Sequence, residues 1–322
     1  MDHFLDWKET QQLVPILRYR TIRRANRWRR MQNMRRVVLV FILPLLLQLE
    51  AYGAQVTVTT WNLKWFPSGT PNLAPLEVEA RKIQDAASVL KKIKPDVILL
   101  QEIRDLETCE KLATALAPDV YSVAVCSRFK DEFGGGLGRQ QVAILAKASA
   151  VAAWSSKWKT FGKVDPPRGY AFASFRFGTN SVGFYSLHLK SNLTRNDPQR
   201  ELQINILKRE LAAEQIIAHA KEVKTTLTNR FEIVVVGGDF NTNPDQNLFV
   251  SEATLHLLRN DGFHNGFENV PFLNRVTHPG KGRYPDATFD YLFIKGARAG
   301  IPEIISSEVS DHHPVTRTIS LP

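Results

Sequence analysis

Two short runs of consecutive apolar residues most strongly limit how this chain can fold. Residues 97–100 read Val-Ile-Leu-Leu and residues 233–236 read Ile-Val-Val-Val, with no polar side chain inside either run. A strand that is apolar on both faces needs cover on both faces, as in the inner sheets of layered α/β proteins. Each run is followed directly by polar or glycine residues, Gln101-Glu102 in one case and Gly237-Gly238-Asp239 in the other. The chain therefore predicts an α/β fold with buried strands that end in chemically useful side chains.

Segments with helical periodicity lie between the predicted strands. Residues 77–94 repeat apolar side chains at helical spacing and stop before Pro95, and residues 106–117 and 198–222 also favour helix. Residues 260–285 are rich in Gly, Asn and Pro and predict a surface loop. Further strands are expected at residues 56–61, 121–125, 142–145, 171–177, 181–187, 288–294 and 315–319. With no fixed repeat and no linker composition, we expect one α/β domain over residues 54–322.

Residues 1–53 have the pattern of an export signal. Arg35-Arg36 precedes the apolar run 37–47, and the small residues of Ala51-Tyr52-Gly53 are typical of a cleavage site after Gly53. We expect translation to start at Met31 or Met34 and the protein to be secreted or periplasmic. The alternative is an uncleaved signal anchor, although the run is shorter than the roughly 20 residues of a spanning helix. In both cases the segment contacts a membrane, transiently or lastingly.

The positive charge of the chain lies mainly in this N-terminal segment. The formal net charge is +10, but residues 1–53 hold ten Lys/Arg against four Asp/Glu. The remaining residues are nearly balanced, so the basic total does not by itself indicate a nucleic-acid surface. An apolar content of 43% excludes a largely disordered chain.

Two cysteines, Cys109 and Cys126, form a candidate disulfide. Cys109 falls in a predicted helix and Cys126 ends the predicted strand that follows, so a bond in an exported protein would join the two elements. The alternative is a pair of buried free thiols. No Cys/His group in the sequence has the spacing of a zinc site.

Polar side chains recur where the predicted strands end. The set consists of two amides, four carboxylates and two imidazoles: Asn62, Asn241, Glu102, Asp239, Asp290, Asp311, His188 and His312. Strand ends in layered α/β folds assemble sites from distant parts of the chain. Each residue alone has an ordinary explanation, such as a turn at Gly238-Asp239. Together they favour a hard cation, Mg²⁺ with Mn²⁺ or Ca²⁺ as alternatives, combined with acid–base histidines.

These residues stand in motifs that resemble the endonuclease/exonuclease/phosphatase superfamily. The motifs follow in order from residue 56 to about residue 319: Trp61-Asn62, Leu100-Gln101-Glu102, Ser186-Leu187-His188, Gly238-Asp239-Phe240-Asn241, Phe289-Asp290-Tyr291 and Ser310-Asp311-His312-His313-Pro314. The resemblance implies a four-layer α/β sandwich of two mixed sheets face to face, with helices outside. It also implies metal-dependent hydrolysis of a phosphodiester by in-line attack of water.

The resemblance further implies a role for each oxygen and amide donor. Glu102 would bind Mg²⁺, and Asn62 would hold the metal shell or the phosphate. Asp239 would orient the attacking water, and Asn241 would donate to a phosphate oxygen.

Two histidine–carboxylate pairs are implied as well. His188 would act on the leaving oxygen with Asp290 fixing its tautomer. His312, paired with Asp311, would act as base or stabiliser on the other side of the phosphate. Such pairs supply the acid and the base that displacement requires.

The substrate is a choice among three hypotheses. A histidine at position 188 resembles the DNase, sphingomyelinase and phosphatase branches, and Lys190, Asn192 and Arg139 are candidate phosphate contacts. The first hypothesis is a monomeric endonuclease acting on DNA or RNA. The second is a phospholipid or phosphoinositide phosphodiesterase or phosphatase, with an apolar rim at Trp154, Trp158 and Phe161. The third is a non-catalytic binding protein on the same fold, ranked last because the whole polar set is present.

Overall fold

Two mixed β-sheets lie face to face, with helices on their outer faces. The computed structural model describes residues 54–131, 135–194, 196–226, 231–282 and 284–322, all within the compact unit Ala54–Pro322. The predictions made for residues 1–53 lie outside these described residues. The expected four-layer α/β sandwich is confirmed.

Twelve strands and four α-helices build the described part of the chain. The strands are β1 Gln55–Phe66, β2 Val97–Ile103, β3 Ser122–Cys126, β4 Gln141–Ala146, β5 Ala150–Lys157, β6 Gly169–Phe177, β7 Asn180–His188, β8 Ile233–Asp239, β9 Asp290–Lys295, β10 Arg298–Ala299, β11 Glu303–Ile304 and β12 Val315–Ser320. The helices are α1 Leu76–Ile93, α2 Leu106–Ala115, α3 Pro198–Thr226 and α4 Thr254–Asn260. Asn247–Phe249 and Phe272–Asn274 are short 3-10 turns.

The strand order places one parallel pair near the middle of each sheet. The first sheet runs β10-β12-β1-β2-β4-β3, with β11 also paired to β12. The second sheet runs β5-β6-β7-β8-β9. β1 is parallel to β2, and β7 is parallel to β8, while the other pairs are antiparallel. Because parallel strands end at the same edge, each sheet brings two strand ends together.

The side chains of β1 and β2 alternate between two apolar layers, one between the sheets and one beneath the helices. In β2, Val97 and Leu99 pack between the sheets, whereas Ile98 and Leu100 pack under α1 and α2. Successive strand residues point to opposite faces, so a continuous apolar run fills both layers. The apolar face of α3 covers the second sheet in the same way.

Several elements were not expected from the sequence. β5, β10, β11 and α4 were missed, because they are short or, in β5, more exposed than a core strand. Residues 260–285 are largely loop, as expected. Among the described residues, no helix is both long and apolar enough to cross a membrane.

The predicted disulfide is not formed. Cys109 is buried in α2 and Cys126 ends β3, and both are free thiols. Their side chains hydrogen-bond to each other, and this contact together with burial raises the pKa of Cys109. The prediction that the two cysteines lie side by side is therefore confirmed, but the prediction of a disulfide bond between them is wrong.

Candidate active site

The polar strand ends of both sheets meet at one edge of the sandwich. In the second sheet, His188 on β7 lies opposite Asp239 on β8, which in turn lies opposite Asp290 on β9. In the first sheet, β1 and β2 end beside each other with Asn62 opposite Gln101. The two sheets are joined behind this edge, where the buried Gln101 Nε2 donates to Ser186 Oγ over 3.0 Å.

Asn62 connects the two halves of the site. Its Nδ2 donates to Asp239 Oδ2 at 3.0 Å in the second sheet and to Glu102 Oε1 at 3.3 Å in the first. Its Oδ1 accepts from the backbone N–H of Lys64 at 3.0 Å, which fixes the amide orientation. A buried amide with both ends bonded holds Glu102 and Asp239 in a fixed relation.

Glu102 and Asn241 have strained backbones. Their φ angles are 58° and 53°, in the left-handed region that non-glycine residues seldom adopt. Glu102 is held there because its Oε2 accepts from the backbone N–H of Trp65 at 2.9 Å. Such strain costs about 1–3 kcal/mol and is concentrated at functional sites.

His312 pairs with Asp290, not with Asp311. Its Nδ1 donates to Asp290 Oδ2 at 2.8 Å, and its Nε2 lies 3.8 Å from Asp239 Oδ2. The implied pairing of Asp290 with His188 is therefore wrong. The loop of His312 is anchored by Trp61, whose indole N–H donates to the His312 carbonyl at 2.9 Å.

Asp311 has a different partner. Its Oδ2 lies 2.6 Å from Lys64 Nζ, in a salt bridge whose side chains are 37% and 45% exposed. The implied Asp311–His312 pair is corrected by this geometry. Asp311 and His312 lie in a bend before β12, where their side chains take different partners, so adjacency in sequence did not produce a pair.

His188 is buried beside the carboxylates. Its Nε2 lies 3.5 Å from Asp239 Oδ2 and 3.9 Å from Glu102 Oε1. Burial, followed by the charges of Arg168 and His312, lowers the pKa of His188 well below its ordinary value. His188 is thus a neutral imidazole at pH 7.

The pKa values of His312 and Asp239 are raised, whereas that of His188 is lowered. Burial alone would lower the pKa of His312, but the carboxylates of Asp290 and Asp239 raise it to about 10. Burial raises the pKa of Asp239 to about 7, with His312 opposing the shift and Asp290 adding to it. The site therefore holds one protonated histidine, one neutral histidine and a carboxyl group poised near neutrality.

The donor set fits a hard divalent cation. Glu102, Asp239 and Asp290 bring three carboxylates together, and Asp290 Oδ1 is buried with no hydrogen-bond partner among the described residues. One carboxylate oxygen each of Asp239 and Asp290 lie within 4.8 Å of each other, close enough to contact one ion. Carboxylate and amide oxygens are the ligands that Mg²⁺ prefers, and a cation would compensate the excess buried negative charge.

The three candidate phosphate contacts have different positions. Asn192 lies at the site and donates from Nδ2 to the Asn241 carbonyl at 2.7 Å. Lys190 follows His188 closely, and its Nζ lies 3.4 Å from Ser191 Oγ. Arg139 instead donates to the Pro71 carbonyl at 2.9 Å and lines a separate cavity with Arg104, so its contact with phosphate stays a prediction.

A cavity of about 790 Å³ opens beside the catalytic cluster. His312, Asn241 and Asn192 are among the residues that line it. Its walls also carry apolar and aromatic side chains, among which Leu193 is 69% exposed and Tyr284 51% exposed. The cavity can therefore contact both a phosphate and an apolar or aromatic group.

The expected rim of Trp154, Trp158 and Phe161 does not line this cavity. Trp158 is buried, and Trp154 is half-buried against Phe172, with ring centroids 4.5 Å apart. Only Phe161 of the three is exposed. Trp154 on β5 and Trp158 directly after it therefore pack inward and do not form a rim.

Sequence reasoning missed several residues around the site. His278 contacts the ring of His312, Lys64 pairs with Asp311, and Ser310 Oγ donates to the Asn62 carbonyl at 2.7 Å. Thr277 Oγ1 accepts from the backbone N–H of Asp290 at 3.1 Å. His278 lies in the Gly- and Pro-rich loop, and the tendency of loops to carry functional groups is the one signal that could have indicated it.

The family model described as the Endonuclease/Exonuclease/phosphatase family matches residues 59–312 of this chain. Solved structures with the same fold include the three described next. An endonuclease/exonuclease/phosphatase family protein from Leptotrichia buccalis C-1013-b has 17% identity and a TM-score of 0.58, and the match covers 83% of this chain and 100% of that one. The endonuclease/exonuclease/phosphatase from Bacteroides vulgatus has 15% identity, a TM-score of 0.60 and coverage of 84% and 100%.

TDP2 from Caenorhabditis elegans has 15% identity and a TM-score of 0.55, and the match covers 83% of this chain and 75% of that one. At these identities the likeness concerns the fold alone. A comparison with curated proteins gave no match in sequence.

Proposed function

Because this chain belongs to the endonuclease/exonuclease/phosphatase family, a family of phosphodiester hydrolases, we propose that it is a Mg²⁺-dependent phosphodiesterase that cleaves nucleic acid. The observation that carries this proposal is the position of Asp239. Its carboxylate accepts from Asn62 of the other sheet and lies within 3.8 Å of the Nε2 atoms of both His188 and His312. A metal-binding edge, a carboxyl group and two histidines thus surround one small volume.

The two histidines have different proton states and therefore different tasks. His312, protonated and held by Asp290, supplies positive charge to the phosphate and a proton for the leaving oxygen. His188, neutral, accepts or donates a hydrogen bond at its Nε2 beside Asp239. The sequence alone left the division between acid and base open.

Asp239 is the proposed base for the attacking water. Without metal the pKa of Asp239 is about 7, and a cation bound beside it would lower that pKa and keep the carboxylate in the charged form that a general base requires. The backbone N–H of Asn241 donates to its Oδ1 at 2.9 Å, and Asn62 holds its Oδ2, so the carboxylate cannot rotate away. Asn241 and Asn192 lie where they can orient a phosphate oxygen.

Glu102 and Asn62, with Asp239, would hold the metal ion. When bound, a divalent ion at this edge supplies charge neutralisation for the phosphate oxygens. Glu102 is preorganised for this because Trp65 and Asn62 fix both of its oxygens. Mn²⁺ or Ca²⁺ are alternatives of the same ligand class.

Nucleic acid is the favoured substrate because the open cavity combines cations with ring-stacking surface. Lys64 and Lys281 line it, and Phe289 and Tyr284 offer aromatic faces. Phosphate contacts together with base stacking are the usual means of binding single strands without sequence preference. We propose endonucleolytic cleavage by a monomer.

A phospholipid is the second candidate substrate. Leu193 and Leu248 are 69% and 46% exposed at the cavity, and Val250 next to it is 82% exposed. Exposed apolar side chains beside a phosphate site are expected of an enzyme that works at a lipid surface. The apolar residues that favour a lipid substrate are therefore Leu193, Leu248 and Val250, and not the expected Trp154 and Trp158.

A substrate panel tests these proposals. Purified full-length protein is incubated with supercoiled plasmid, RNA and phospholipid vesicles, in Mg²⁺ and in EDTA, beside His188→Ala and the surface control His256→Ala. Nicking that needs Mg²⁺ and is lost only in His188→Ala supports the nuclease. Turnover of lipid without nicking would transfer the proposal to the second candidate, and inactivity on every substrate would refute both.

We also propose export through the segment of residues 35–53, with removal of residues 1–53. The support is the order of basic, apolar and small residues in the sequence. Amino-terminal sequencing of the protein from cell-free medium or periplasm checks it. A mature terminus at Ala54 is expected, and an intact N-terminus in the membrane fraction would favour the anchor instead.

A further inference from the structure

His278 lies beside the catalytic cluster, in a fixed position. Its backbone N–H donates to the Ala287 carbonyl at 2.9 Å, and the Ala287 N–H donates back to the His278 carbonyl at 2.9 Å. Its ring centroid is 4.7 Å from that of His312, and the two planes make an angle of 68°. The backbone pairing holds the imidazole at the cavity wall, so its position does not depend on a mobile loop tip.

The side chain of His278 lacks a partner for one of its ring nitrogens. Nδ1 is buried and has no hydrogen-bond partner among the described residues. A buried nitrogen without a partner carries a desolvation cost that a ligand would remove. Neither the proposed hydrolysis nor the packing of the loop uses this atom, so its function is unexplained by the site described above.

Asp311 completes a group of three ligand atoms. One atom each from His278, Asp311 and His312 lie within 4.8 Å of one another. Around a tetrahedral Zn²⁺ with bonds of about 2.0–2.1 Å, ligand atoms are roughly 3.3–3.4 Å apart. The group needs to contract by about 1.5 Å at most, and the 37% exposed side chain of Asp311 has room to rotate toward the two imidazoles.

A cation already occupies one member of this group. The Nζ of Lys64 lies 2.6 Å from Asp311 Oδ2. Because both side chains are substantially exposed, this salt bridge contributes little stability and can be replaced. Lys64 therefore competes with a metal ion for the same carboxylate.

The ligand types of this group differ from those of the proposed Mg²⁺ site at the sheet edge, called the magnesium edge below. Glu102, Asn62 and Asp239 offer only oxygen donors, which suit Mg²⁺, whereas two imidazoles with one carboxylate suit Zn²⁺. We propose that His278, Asp311 and His312 form a second divalent-cation site that binds Zn²⁺ in preference to Mg²⁺. With three protein ligands, the fourth position of the ion is left to water.

Sharing of His312 gives the second site a regulatory consequence, which rests on the proposed function. A Zn²⁺ ion bound at Nε2 of His312 displaces the Nε2 proton to solvent and removes the imidazolium that faces Asp239. Zinc should therefore inhibit hydrolysis in the presence of saturating Mg²⁺, without competing for the magnesium edge. The binding itself stands independently of any activity.

The test measures binding first. Full-length protein in excess Mg²⁺ is titrated with Zn²⁺ by calorimetry and with Co²⁺ by visible absorption, for wild type, His278→Ala and the exposed control His256→Ala. We expect His278→Ala to weaken Zn²⁺ binding by at least the roughly 10–100-fold that loss of an outer-shell partner costs, and the control to leave it unchanged. Equal affinity in His278→Ala, or Co²⁺ bands of thiolate ligation from Cys109 and Cys126, would overturn the site.

A second variant tests the competition by Lys64. Lys64→Met should strengthen Zn²⁺ binding several-fold, whereas Lys91→Met on α1 should not. Inhibition by Zn²⁺ is then compared with Mg²⁺-dependent turnover. His278→Ala should lose its zinc sensitivity, so that whatever turnover it shows in excess Mg²⁺ is the same with and without Zn²⁺. If no variant hydrolyses any substrate while zinc binding still depends on His278, the proposed function fails and the metal site remains.

Discussion

Nδ1 of His312 donates to Oδ2 of Asp290 over 2.8 Å, across a buried interface between a loop and strand β9. Asp290 is fully buried and His312 is nearly so. The carboxylate accepts the Nδ1 proton, stabilises the charged imidazolium and leaves the Nε2 N–H facing Asp239. Of the carboxylates near His312, Asp290 is thus the one that sets its orientation and its charge.

Asp290→Asn should lower kcat for phosphodiester hydrolysis by roughly 10²–10⁴-fold, because the amide cannot keep His312 charged and oriented. Asp311→Asn is the matched control. Its carboxylate pairs with Lys64 at the surface, so kcat should change by less than about tenfold. Steady-state kinetics on a small chromogenic phosphodiester measures both, and a larger loss in the Asp311 variant would reverse the assignment.

The stability contributed by His312 should decline at alkaline pH. Its pKa is about 10 in the folded protein and about 6.5 in an unfolded chain. Because the pKa is higher in the folded protein, protonated His312 contributes its full stabilisation of the fold below about pH 6.5. This contribution declines as the pH rises and is lost above about pH 10. Urea unfolding in EDTA should therefore show the gap between wild type and His312→Gln closing over that range. A gap independent of pH would contradict the charged state of His312.

Gly238→Ala should destabilise the protein by about 3 kcal/mol or more. Gly238 has φ of 154°, and an added Cβ would lie 1.9 Å from the Leu187 carbonyl oxygen, inside the β7–β8 pairing. Gly136→Ala is the control, since no atom lies within 4 Å of its added Cβ. Denaturant midpoints compare the two, and an equal effect would show that the clash is relieved elsewhere.

The buried pair of Arg209 and Glu252 should stabilise the loop that follows His188. Arg209 Nε donates to Glu252 Oε1 at 2.7 Å, and its Nη1 donates to the Lys190 carbonyl at 2.9 Å. Arg209→Met should cost about 3–5 kcal/mol because Glu252 is left buried and unpaired. The double variant Arg209→Met with Glu252→Leu should recover most of that loss. Additive losses in the cycle would argue against coupling.

The effect of Mg²⁺ on thermal stability should depend on Glu102 and not on acidic residues outside the site. Mg²⁺ should raise the Tm of the wild type, because an ion that binds only the folded state stabilises it by mass action. Glu102→Gln should lose this rise, while Glu107→Gln, whose exposed carboxylate pairs with Lys111, should keep it. Calorimetry in Mg²⁺ and in EDTA measures the difference. An undiminished Mg²⁺ effect in Glu102→Gln would remove that residue from the metal site.

The sequence by itself determined the layers and the membership of the site. Uninterrupted apolar runs such as residues 97–100 can only be buried on both faces, which predicts a sandwich. Because parallel strands end at one edge, the polar residues Asn62, Glu102, His188 and Asp239 were expected to meet, and they do. The local sequence pattern suffices to predict these features, because the two-residue period of a strand decides which face each side chain lies on.

The tertiary structure alone decided which groups touch. Asp311 stands next to His312 in sequence yet binds Lys64, while Asp290, 22 residues away, holds the imidazole. His278 reaches the same site from a loop that has no periodic pattern to predict its course. Contacts of this kind depend on the register between strands and on the course of the connecting loops. Neither is encoded in the neighbours along the chain, so only packing of the whole domain fixes them.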